Sequence, residues 1–195
     1  MRRVAEINRS TSETQIELVL DLDGGDVAAT TGVGFFDHVL DILGRHGRLG
    51  LRVNASGDLD TGSHHTIEDV GIALGQGLDR ALGERSGIRR YGYAAIPMDE
   101  ALAICAIDLS GRALCRFRSE LPRTSIAGFE TEATEEFFRA VATNAKLTLH
   151  IGTSYGSNAH HMVEACFKSF ARALREAIAL DPDEAGIPST KGRLT

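Results

Sequence analysis

Two stretches of the chain, roughly 90 to 100 residues apart, carry the same succession of apolar and polar positions. Glu13–Gly24 alternates apolar and polar side chains before a turn, and Glu100–Gly111 does the same. This alternation is typical of strands that cover one side of a core. A Phe-Phe pair, Phe35-Phe36 or Phe137-Phe138, then opens a helical pattern. Each copy is therefore predicted to contain a strand that enters a hairpin and then a helix.

The second part of each copy is a short apolar strand followed by a long helix. The short strands are Leu49–Val53 and Leu147–Ile151, and the long helical patterns run to about Leu82 and about Leu180. The order of strands, helix, strand and helix, repeated once, predicts an α+β fold. We expect two fused similar repeats, each a small, mostly antiparallel sheet with two helices on one face.

The repeat also predicts the domain organisation. We expect residues 1–90 to form the first repeat, 91–180 the second, and 181–195 a C-terminal loop and tail, all within one compact domain. The first long helix contains Gly71, Gly75 and Gly77, each of which lowers helix propensity by roughly 1 kcal/mol relative to alanine. Their presence predicts that another element approaches this helix closely.

Composition and charge narrow the class of protein. The 195 residues carry 21 basic and 27 acidic side chains, a formal net charge of -6, so we expect no nucleic-acid partner and no anionic membrane partner. The polar N-terminus does not resemble a signal peptide, and no apolar stretch is long enough to span a membrane. Three cysteines without CxxC spacing fit a reducing compartment. We therefore expect a cytoplasmic protein.

The candidate chemistry lies in a duplicated motif, His-His-x-x-Glu, at the start of each long helical pattern. Its six residues are His64, His65, Glu68, His160, His161 and Glu164. On a helix the carboxylate lies about one turn from either ring, whereas the two rings of a pair diverge by about 100°. One pair can therefore face two different ions. We expect two metal sites, each with ligands from both repeats and each completed across a subunit interface.

Imidazole and carboxylate ligands without cysteine suit Mn, Fe, Co or Zn. Open coordination positions favour Mn or Fe over a structural zinc ion, and the spacing leaves the choice open. Three further histidines lie outside the motif, and one of them, His38, falls near the start of a predicted helix. The spacing is equally compatible with His46 as a loop residue or as a site residue. For His150 we expect a structural role, because its counterpart in the first copy is Arg52.

Over essentially its whole length, the chain resembles the imidazoleglycerol-phosphate dehydratase family of histidine biosynthesis. The matching blocks are Arg9–Thr14, Phe35–His38, His46–Gly47, His64–Gly71, Pro97–Leu102, Asp108–Arg112, Gly156–Glu164, Phe167–Lys168 and Pro188–Gly192. The resemblance implies two Mn2+ ions per active site and a homo-oligomer of 24 subunits with interfacial active sites.

The resemblance also implies roles for individual residues. The implied metal ligands are His38, His64, His65, Glu68, Glu136, His160, His161 and Glu164. Glu136 stands where many relatives have a histidine, immediately before the second Phe-Phe pair. The implied substrate-binding residues are Glu13, His46, Arg90, Arg112, Ser189 and Lys191, which makes 181–195 a substrate-binding segment. Relatives often have an acidic residue just before the first His pair; here Gly62 and Ser63 fill that stretch and Asp60 is nearby.

The implied reaction is the dehydration of D-erythro-imidazole-glycerol phosphate to imidazole-acetol phosphate by a metal-dependent lyase. The proton to be removed is bound to carbon and has no carbonyl beside it. A metal on a ring nitrogen can hold the imidazole as its anion, which can then expel hydroxide from the adjacent carbon. We expect Glu13 to transfer protons, with Glu68 and Glu164 acting at the metal. Arg90, Arg112 and Lys191 would bind the phosphate dianion.

Two other functions are compatible with the histidine clusters. A noncatalytic assembly protein would use them only to cross-link subunits through metal, and would bind metal fully without turnover. A metallohydrolase would use one motif to activate water and would release inorganic phosphate. Formation of a ketone phosphate distinguishes the lyase from both.

Overall fold

The computed structural model describes residues 2–194, so that Met1 and Thr195, the outermost residues of the expected ranges 1–90 and 181–195, lie outside the described residues. The first half comprises β1 (Val4–Ser10), β2 (Thr14–Asp21), β3 (Val27–Thr30), α1 (Gly34–Gly47), β4 (Gly50–Gly57), a 3-10 turn (Leu59–Thr61) and α2 (His64–Leu82). The second half comprises β5 (Tyr91–Met98), β6 (Ala101–Asp108), β7 (Leu114–Arg118), β8 (Ser125–Ile126), β9 (Phe129–Glu130), α3 (Ala133–Asn144), β10 (Thr148–Tyr155) and α4 (Ala159–Ile178).

The two halves build equivalent four-stranded sheets. Their strand orders are β1-β2-β4-β3 and β5-β6-β10-β7, and only the edge pairs β3-β4 and β7-β10 are parallel. Alternate residues of β2 and β6 are buried, as expected for a sheet with one covered face. The predicted α+β fold with two similar, mostly antiparallel repeats is confirmed, while the boundary between residues 90 and 91 stays a prediction.

The four helices lie between the two sheets. Helices α1 and α2 cover the inner face of the first sheet, and α3 and α4 cover that of the second. Across the middle, α2 packs on α3 and α1 packs on α4. The largest fully buried side chains at this junction are the six phenylalanines Phe36, Phe129, Phe137, Phe138, Phe167 and Phe170. The core is therefore shared by the halves, and the helix starts that carry the candidate chemistry are held against it.

The glycines of α2 permit the close helix contact that the sequence predicts. A Cβ atom on Gly75 would lie 2.7 Å from the Val141 carbonyl oxygen of α3, and one on Gly71 would lie 2.9 Å from the Phe137 carbonyl oxygen. Only a residue without a side chain lets the two backbones approach this far.

The predicted hairpins are wrong in direction. We expected β2 and β6 to enter hairpins with the strands that follow them, but their hairpin partners are the preceding strands β1 and β5. After β2, the chain crosses to β3, which pairs in parallel with β4. The alternating pattern could not reveal this, because it reports which face of a strand is buried and not which neighbour it pairs with. Within residues 2–194, no helix has the combination of length and apolar character that crossing a bilayer requires.

Candidate active site

The start of α4 is organised by a side-chain cap. The Oδ1 atom of Asn158 accepts hydrogen bonds from the backbone N-H groups of His160 (2.9 Å) and His161 (3.3 Å). The two histidine rings that follow are 6.0 Å apart between centroids, with their planes at 83°. Because the rings point in different directions, each histidine has its own set of partners.

His160 joins a group of three potential metal ligands that also contains His38 and Glu164. The Oε2 atom of Glu164 lies 3.0 Å from Nε2 of His160 and 3.3 Å from Nε2 of His38. One ligand atom from each residue lies within 4.8 Å of the others. His38 comes from α1 and the other two from α4, so the packing of α1 on α4 unites ligands from both repeats.

Glu164 is the buried member of this group, with a side chain that is only 7% exposed. Burial raises its pKa, but the Lys168 ammonium, whose Nζ donates to Oε1 at 2.6 Å, and the two histidines outweigh burial and lower the pKa overall. Glu164 is therefore held as a carboxylate, the form that binds a cation. Lys168 was not among the predicted site residues, although its position one helical turn after Glu164 is the signal in the sequence for this contact.

His161 faces the turn between β5 and β6. Its Nδ1 atom lies 2.7 Å from Oε2 of Glu100, and its Nε2 atom lies 3.5 Å from Oδ2 of Asp99. The hydrogen bond to His161 and those from the backbone amides of Asn158 and Ser157 hold the pKa of Glu100 well below its usual range. The same Glu100 hydrogen bond raises the pKa of His161.

The first repeat has a corresponding arrangement at the start of α2. Nε2 of His64 lies 3.7 Å from Oε2 of Glu68, and the rings of His64 and His65 stand at 88° to each other. Nδ1 of His65 lies 3.0 Å from Oδ2 of Asp58, which raises the pKa of His65. The Oε1 atom of Glu13 is 4.0 Å from Nε2 of His65. The acidic partner of this His pair is therefore Asp58 and not Asp60, the acidic residue that lies nearer to the pair in the sequence.

Glu136 does not join His64, His65 or Glu68 in a ligand group within the described chain. It lies in the first turn of α3, where its nearest charged partner is Nη1 of Arg139 at 3.6 Å. The His38, His160 and Glu164 group is the one set of three His, Cys, Asp or Glu side chains in residues 2–194 that converges closely enough to hold an ion.

Four of the six expected substrate-binding residues line one open cleft of about 900 Å3. They are Arg90, Arg112, Ser189 and Lys191. The guanidinium of Arg90 is fixed by Asp108, at 2.7 and 3.2 Å, and by the carbonyl oxygen of Pro188 at 2.8 Å. Arg193 also lines the cleft. This concentration of cationic side chains suits a phosphate group.

Glu13 and His46, the other two expected substrate-binding residues, lie outside this cleft. Glu13 is beside His65, as described above. His46 lies in the last turn of α1, where burial and the positive charges of Lys168 and Arg172 lower its pKa. A histidine held neutral by these surroundings can accept a hydrogen bond from a ligand.

The basic cleft and the three-ligand group lie at opposite ends of α4. The N-H of Arg90 donates to the carbonyl oxygen of Ala177, near the end of α4, at 2.9 Å, whereas His160 stands at its start. Seventeen helical residues at about 1.5 Å each place these points about 26 Å apart. The eight residues of β5 give a similar separation, about 23 Å from Tyr91 to Met98.

The donor set of the His38, His160 and Glu164 group fits a divalent metal ion. Two imidazole nitrogens and one ionised carboxylate converge from packed helices, and no cysteine takes part. Such a set suits Mn, Fe, Co or Zn. Glu100 and Asp58, which were not among the predicted site residues, each bind Nδ1 of the second histidine of a pair. A carboxylate on the second ring nitrogen is the kind of partner that orients an imidazole for metal binding.

The chain matches known proteins along its length. Residues 31–174 match the family model described as imidazoleglycerol-phosphate dehydratase. The imidazoleglycerol-phosphate dehydratase of Rhodopseudomonas palustris (strain TIE-1) is 55% identical over 194 residues, 98% of each chain. That of Geobacter metallireducens is 51% identical over 195 residues, 100% of each chain.

Two solved structures of such enzymes share the fold. The crystal structure from Staphylococcus aureus subsp. aureus N315 gives a TM-score of 0.84 at 39% identity, covering 91% of this chain and 99% of that one. The structure from Pyrococcus furiosus, in complex with (S)-C348, gives a TM-score of 0.82 at 32% identity over 96% and 100% of the two chains. With its sequence and its fold both matched over nearly their whole length, the chain belongs to the imidazoleglycerol-phosphate dehydratase family.

Proposed function

We propose that this protein is a metal-dependent lyase that dehydrates imidazoleglycerol phosphate to imidazole-acetol phosphate in histidine biosynthesis, with Mn2+ as its metal. The convergence of His38, His160 and Glu164 is the observation that carries the proposal. Two imidazoles and a carboxylate held ionised form a site for a divalent ion. The cationic cleft supplies the groups that a phosphate ester requires.

The proposed active site is shared between subunits of a homo-oligomer, which the family resemblance implies has 24 copies. The separation of about 26 Å between His160 and Arg90 supports this, because three carbons join the imidazole ring of the substrate to its phosphate oxygen. One chain cannot offer both of its sites to a molecule of that size. We propose that the metal group of one subunit faces the basic cleft of another.

The second proposed metal position is at the start of α2. His64 with Glu68, and His65 with its partner Asp58, present nitrogen and carboxylate donors at the surface. Their side chains are between 37% and 59% exposed, apart from Asp58 at 31%. A metal site that is completed by a neighbouring subunit needs part of its ligand set exposed at the surface of each chain, as these donors are. Glu136 is proposed as a further ligand from such a neighbour.

Binding at the basic cleft orients the substrate. The guanidinium of Arg90, fixed by Asp108, donates to phosphate oxygens in a set direction. Arg112 and Lys191 add positive charge, and the Ser189 hydroxyl adds a hydrogen-bond donor. When bound, the metal ions would stabilise negative charge on the imidazole ring, which is the charge that the departure of hydroxide and a carbon-bound proton requires.

Proton transfer is assigned to Glu13. Its side chain is 51% exposed and lies at the edge of the His65 position, where the substrate would be held. Among residues 2–194, no donor satisfies its carboxylate by a direct hydrogen bond, so that the oxygens are open to a ligand. The glutamates of the His-His-x-x-Glu motifs are held by histidines and, for Glu164, by Lys168.

The free cysteines support a reducing compartment, the proposed cytoplasm. Cys105, Cys115 and Cys166 are all unpaired thiols, and two of them are buried. Burial raises the pKa of Cys166 to about 12 and that of Cys115 to about 11, so neither is a ready nucleophile.

The test is turnover by purified protein that has been stripped with a chelator and reloaded with Mn2+. We expect a ketone phosphate to form only in the reloaded sample. His160→Ala should lose metal and activity by at least about a hundredfold, while His150→Ala, which changes an exposed histidine of β10 outside the site, should retain both. Release of inorganic phosphate would support a hydrolase, and full metal occupancy without turnover would support an assembly role.

A further inference from the structure

A buried polar network joins the β1-β2 hairpin to α2 directly behind Glu13. The carboxylate of Asp69 accepts a hydrogen bond from the Thr14 hydroxyl at 2.5 Å and one from Nη2 of Arg9 at 2.7 Å. Thr14 is 2% exposed and Asp69 8%. Hydroxyl-to-carboxylate and guanidinium-to-carboxylate bonds of this length are the strong, charge-assisted kind.

The same segment fixes the backbone of Glu13 on both sides. The Thr11 hydroxyl oxygen accepts hydrogen bonds from the N-H groups of Glu13 (3.1 Å) and Thr14 (2.9 Å). The carbonyl oxygen of Glu13 accepts from the N-H of Asp58 at 3.1 Å. Because Asp58 also binds the ring of His65, Glu13 and His65 are positioned against one another through short chains of hydrogen bonds.

The second repeat is an internal control for this network. Arg9 pairs with Ile16, the third residue of β2. Ile96 pairs with Ala103, the third residue of β6. Ile96 therefore corresponds to Arg9. By the same alignment, Ala101 corresponds to Thr14 and Ala165 to Asp69. Ala101 and Ala165 are buried and Ile96 packs against the core. The second repeat thus reaches the same fold with apolar residues at all three positions.

The network is costly compared with those apolar residues. The Asp69 carboxylate is largely removed from water and the Arg9 side chain is 29% exposed. Replacing a buried ion pair with apolar residues of similar volume is often neutral or stabilising. Here the Nε atom of Arg9 is also buried without a hydrogen-bond partner among the described residues. The fold does not require this network, and the network leaves a polar atom without a partner. Its presence is therefore better explained by a functional role than by a contribution to stability.

Glu13 and Glu100 occupy equivalent positions in the two repeats, but within the described chain only the carboxylate of Glu100 is engaged by hydrogen bonds. Glu100, whose repeat lacks the network, has its carboxylate engaged by the Ser157 and Asn158 amides and by His161. Glu13 has its backbone held by Asp58 and by Thr11, whose hydroxyl lies 3.2 Å from that of Thr14 in the network, and it keeps its carboxylate open. Fixing a side chain through its backbone is the way to hold it in place while leaving its oxygens for a ligand.

We propose that Asp69 is a positioning residue that acts through Thr14 and Arg9 to hold Glu13 for proton transfer at the substrate beside His65. This inference rests on the proposed role of Glu13. Asp69 itself is buried and does not contact the substrate. Loss of the network should let the hairpin tip shift and should reduce the fraction of time that the Glu13 carboxylate is in reach.

The first test uses Thr14→Val, which keeps the shape of threonine but removes the hydroxyl, and Thr14→Ser, which keeps the hydroxyl. We expect Thr14→Val and Asp69→Asn to lower kcat by roughly ten- to a hundredfold with KM and bound manganese nearly unchanged. Thr14→Ser should restore most of kcat. Equal kcat for Thr14→Val, Thr14→Ser and the parent protein would overturn the proposal.

A matched control removes a comparable carboxylate from the far end of α2. Asp79 accepts from Nη2 of Arg85 at 2.7 Å, and Arg85 keeps three backbone carbonyl acceptors when Asp79→Asn is made. Asp79→Asn should lower thermal stability without lowering kcat. If it lowered kcat as much as Asp69→Asn, the effect would be general destabilisation and the proposal would be wrong.

A double-mutant cycle separates the network from the role of Glu13. Glu13→Gln alone should abolish most turnover, and adding Asp69→Asn should then change kcat less than about twofold, since both act through one group. Full activity of Glu13→Gln would contradict the proposed function of Glu13 and the inference with it. Loss of activity in Glu13→Gln together with additive effects in the double variant would contradict the inference alone.

Discussion

The two members of each histidine pair are distinguished by which ring nitrogen is already engaged. The second histidine of each pair has its Nδ1 atom at a carboxylate: His65 at Asp58, just before α2, and His161 at Glu100, in the turn between β5 and β6. The first histidine, His64 or His160, instead directs Nε2 toward the glutamate one turn later. An engaged Nδ1 fixes the ring orientation and the tautomer, which leaves Nε2 available as a metal ligand.

Asp58→Asn tests this assignment at the first pair. An amide cannot serve as a strong acceptor for the ring N-H, so the His65 ring loses its fixed orientation, and we expect manganese affinity to fall about tenfold or more. Metal titration of the stripped protein measures the effect. Asp60→Asn is the control, because its carboxylate makes no hydrogen bond or ion pair among residues 2–194. Equal losses in both variants would indicate a general effect of charge.

At the scale of elements, the two motif helices begin differently although their sequences match. Asn158 caps α4 through its side chain, whereas Ser63 precedes α2 without a side-chain cap, and its buried hydroxyl has no partner among the described residues. The start of α4, which carries the converged ligand group, is therefore the better capped of the two.

Asn158→Ala removes this cap, and we expect a loss of about 1 kcal/mol in the free energy of unfolding. The equivalent change, Ser63→Ala, should be neutral within about 0.5 kcal/mol, since no hydrogen bond is lost. Urea denaturation of the metal-free proteins at one protein concentration measures both. A larger loss for Ser63→Ala than for Asn158→Ala would refute the difference between the two helix starts.

The contact between α2 and α3 depends on glycine, and Gly75→Ala should disrupt it. The added Cβ atom would lie 2.7 Å from both the Val141 carbonyl oxygen and the Asn144 Cβ atom, so we expect the helices to be forced apart at a cost of about 1 to 3 kcal/mol. Gly34→Ala is the control, because nothing lies within 4 Å of its Cβ position at the start of α1. That change should be neutral or stabilising by up to about 1 kcal/mol. Thermal unfolding followed by circular dichroism compares the two variants.

At the scale of the whole molecule, the sandwich of helices between two sheets determines where the chemistry can occur. His38 approaches His160 and Glu164 because α1 packs on α4, whereas the basic cleft forms at the other end of the second sheet. The length of α4 keeps these sites about 26 Å apart in one chain. The proposed active site, which uses both groups, therefore requires a second copy of the chain.

Mixing two inactive variants tests the shared site. His160→Ala lacks the metal group and Arg112→Ala lacks part of the cleft, so each assembly alone should be nearly inactive. In hybrid assemblies, roughly a quarter of the sites pair an intact group with an intact cleft if subunits mix at random. We therefore expect activity to return after the two are dissociated and reassembled together.

The control mixture combines His160→Ala with His38→Ala. Both residues belong to one metal group within one chain, so mixing cannot restore it, and activity should stay low. Recovery in this mixture, or no recovery in the first one, would contradict a site divided between subunits in the proposed way.

The local parts of this architecture follow from the sequence. The α+β class, the duplication and the start of α2 at His64 were predictable because apolar periodicity and residue spacing are local properties of the chain. The preceding strands β1 and β5 and the direction of the hairpins were not, since strand pairing depends on chain topology and not on pattern. The close approach at Gly71 and Gly75 was foreseen from their unfavourable helix propensity.

By itself, the sequence determined which side chains stand one helical turn apart, because helix geometry is the same wherever a helix forms. It therefore determined that each histidine pair faces two ways and that Glu68 and Glu164 lie beside a histidine ring. Only the tertiary structure decided that His38, 126 residues away from Glu164, meets it, and that Asp69 lies behind Glu13. Such contacts depend on how helices and strands pack on each other, and packing is a property of the folded chain as a whole.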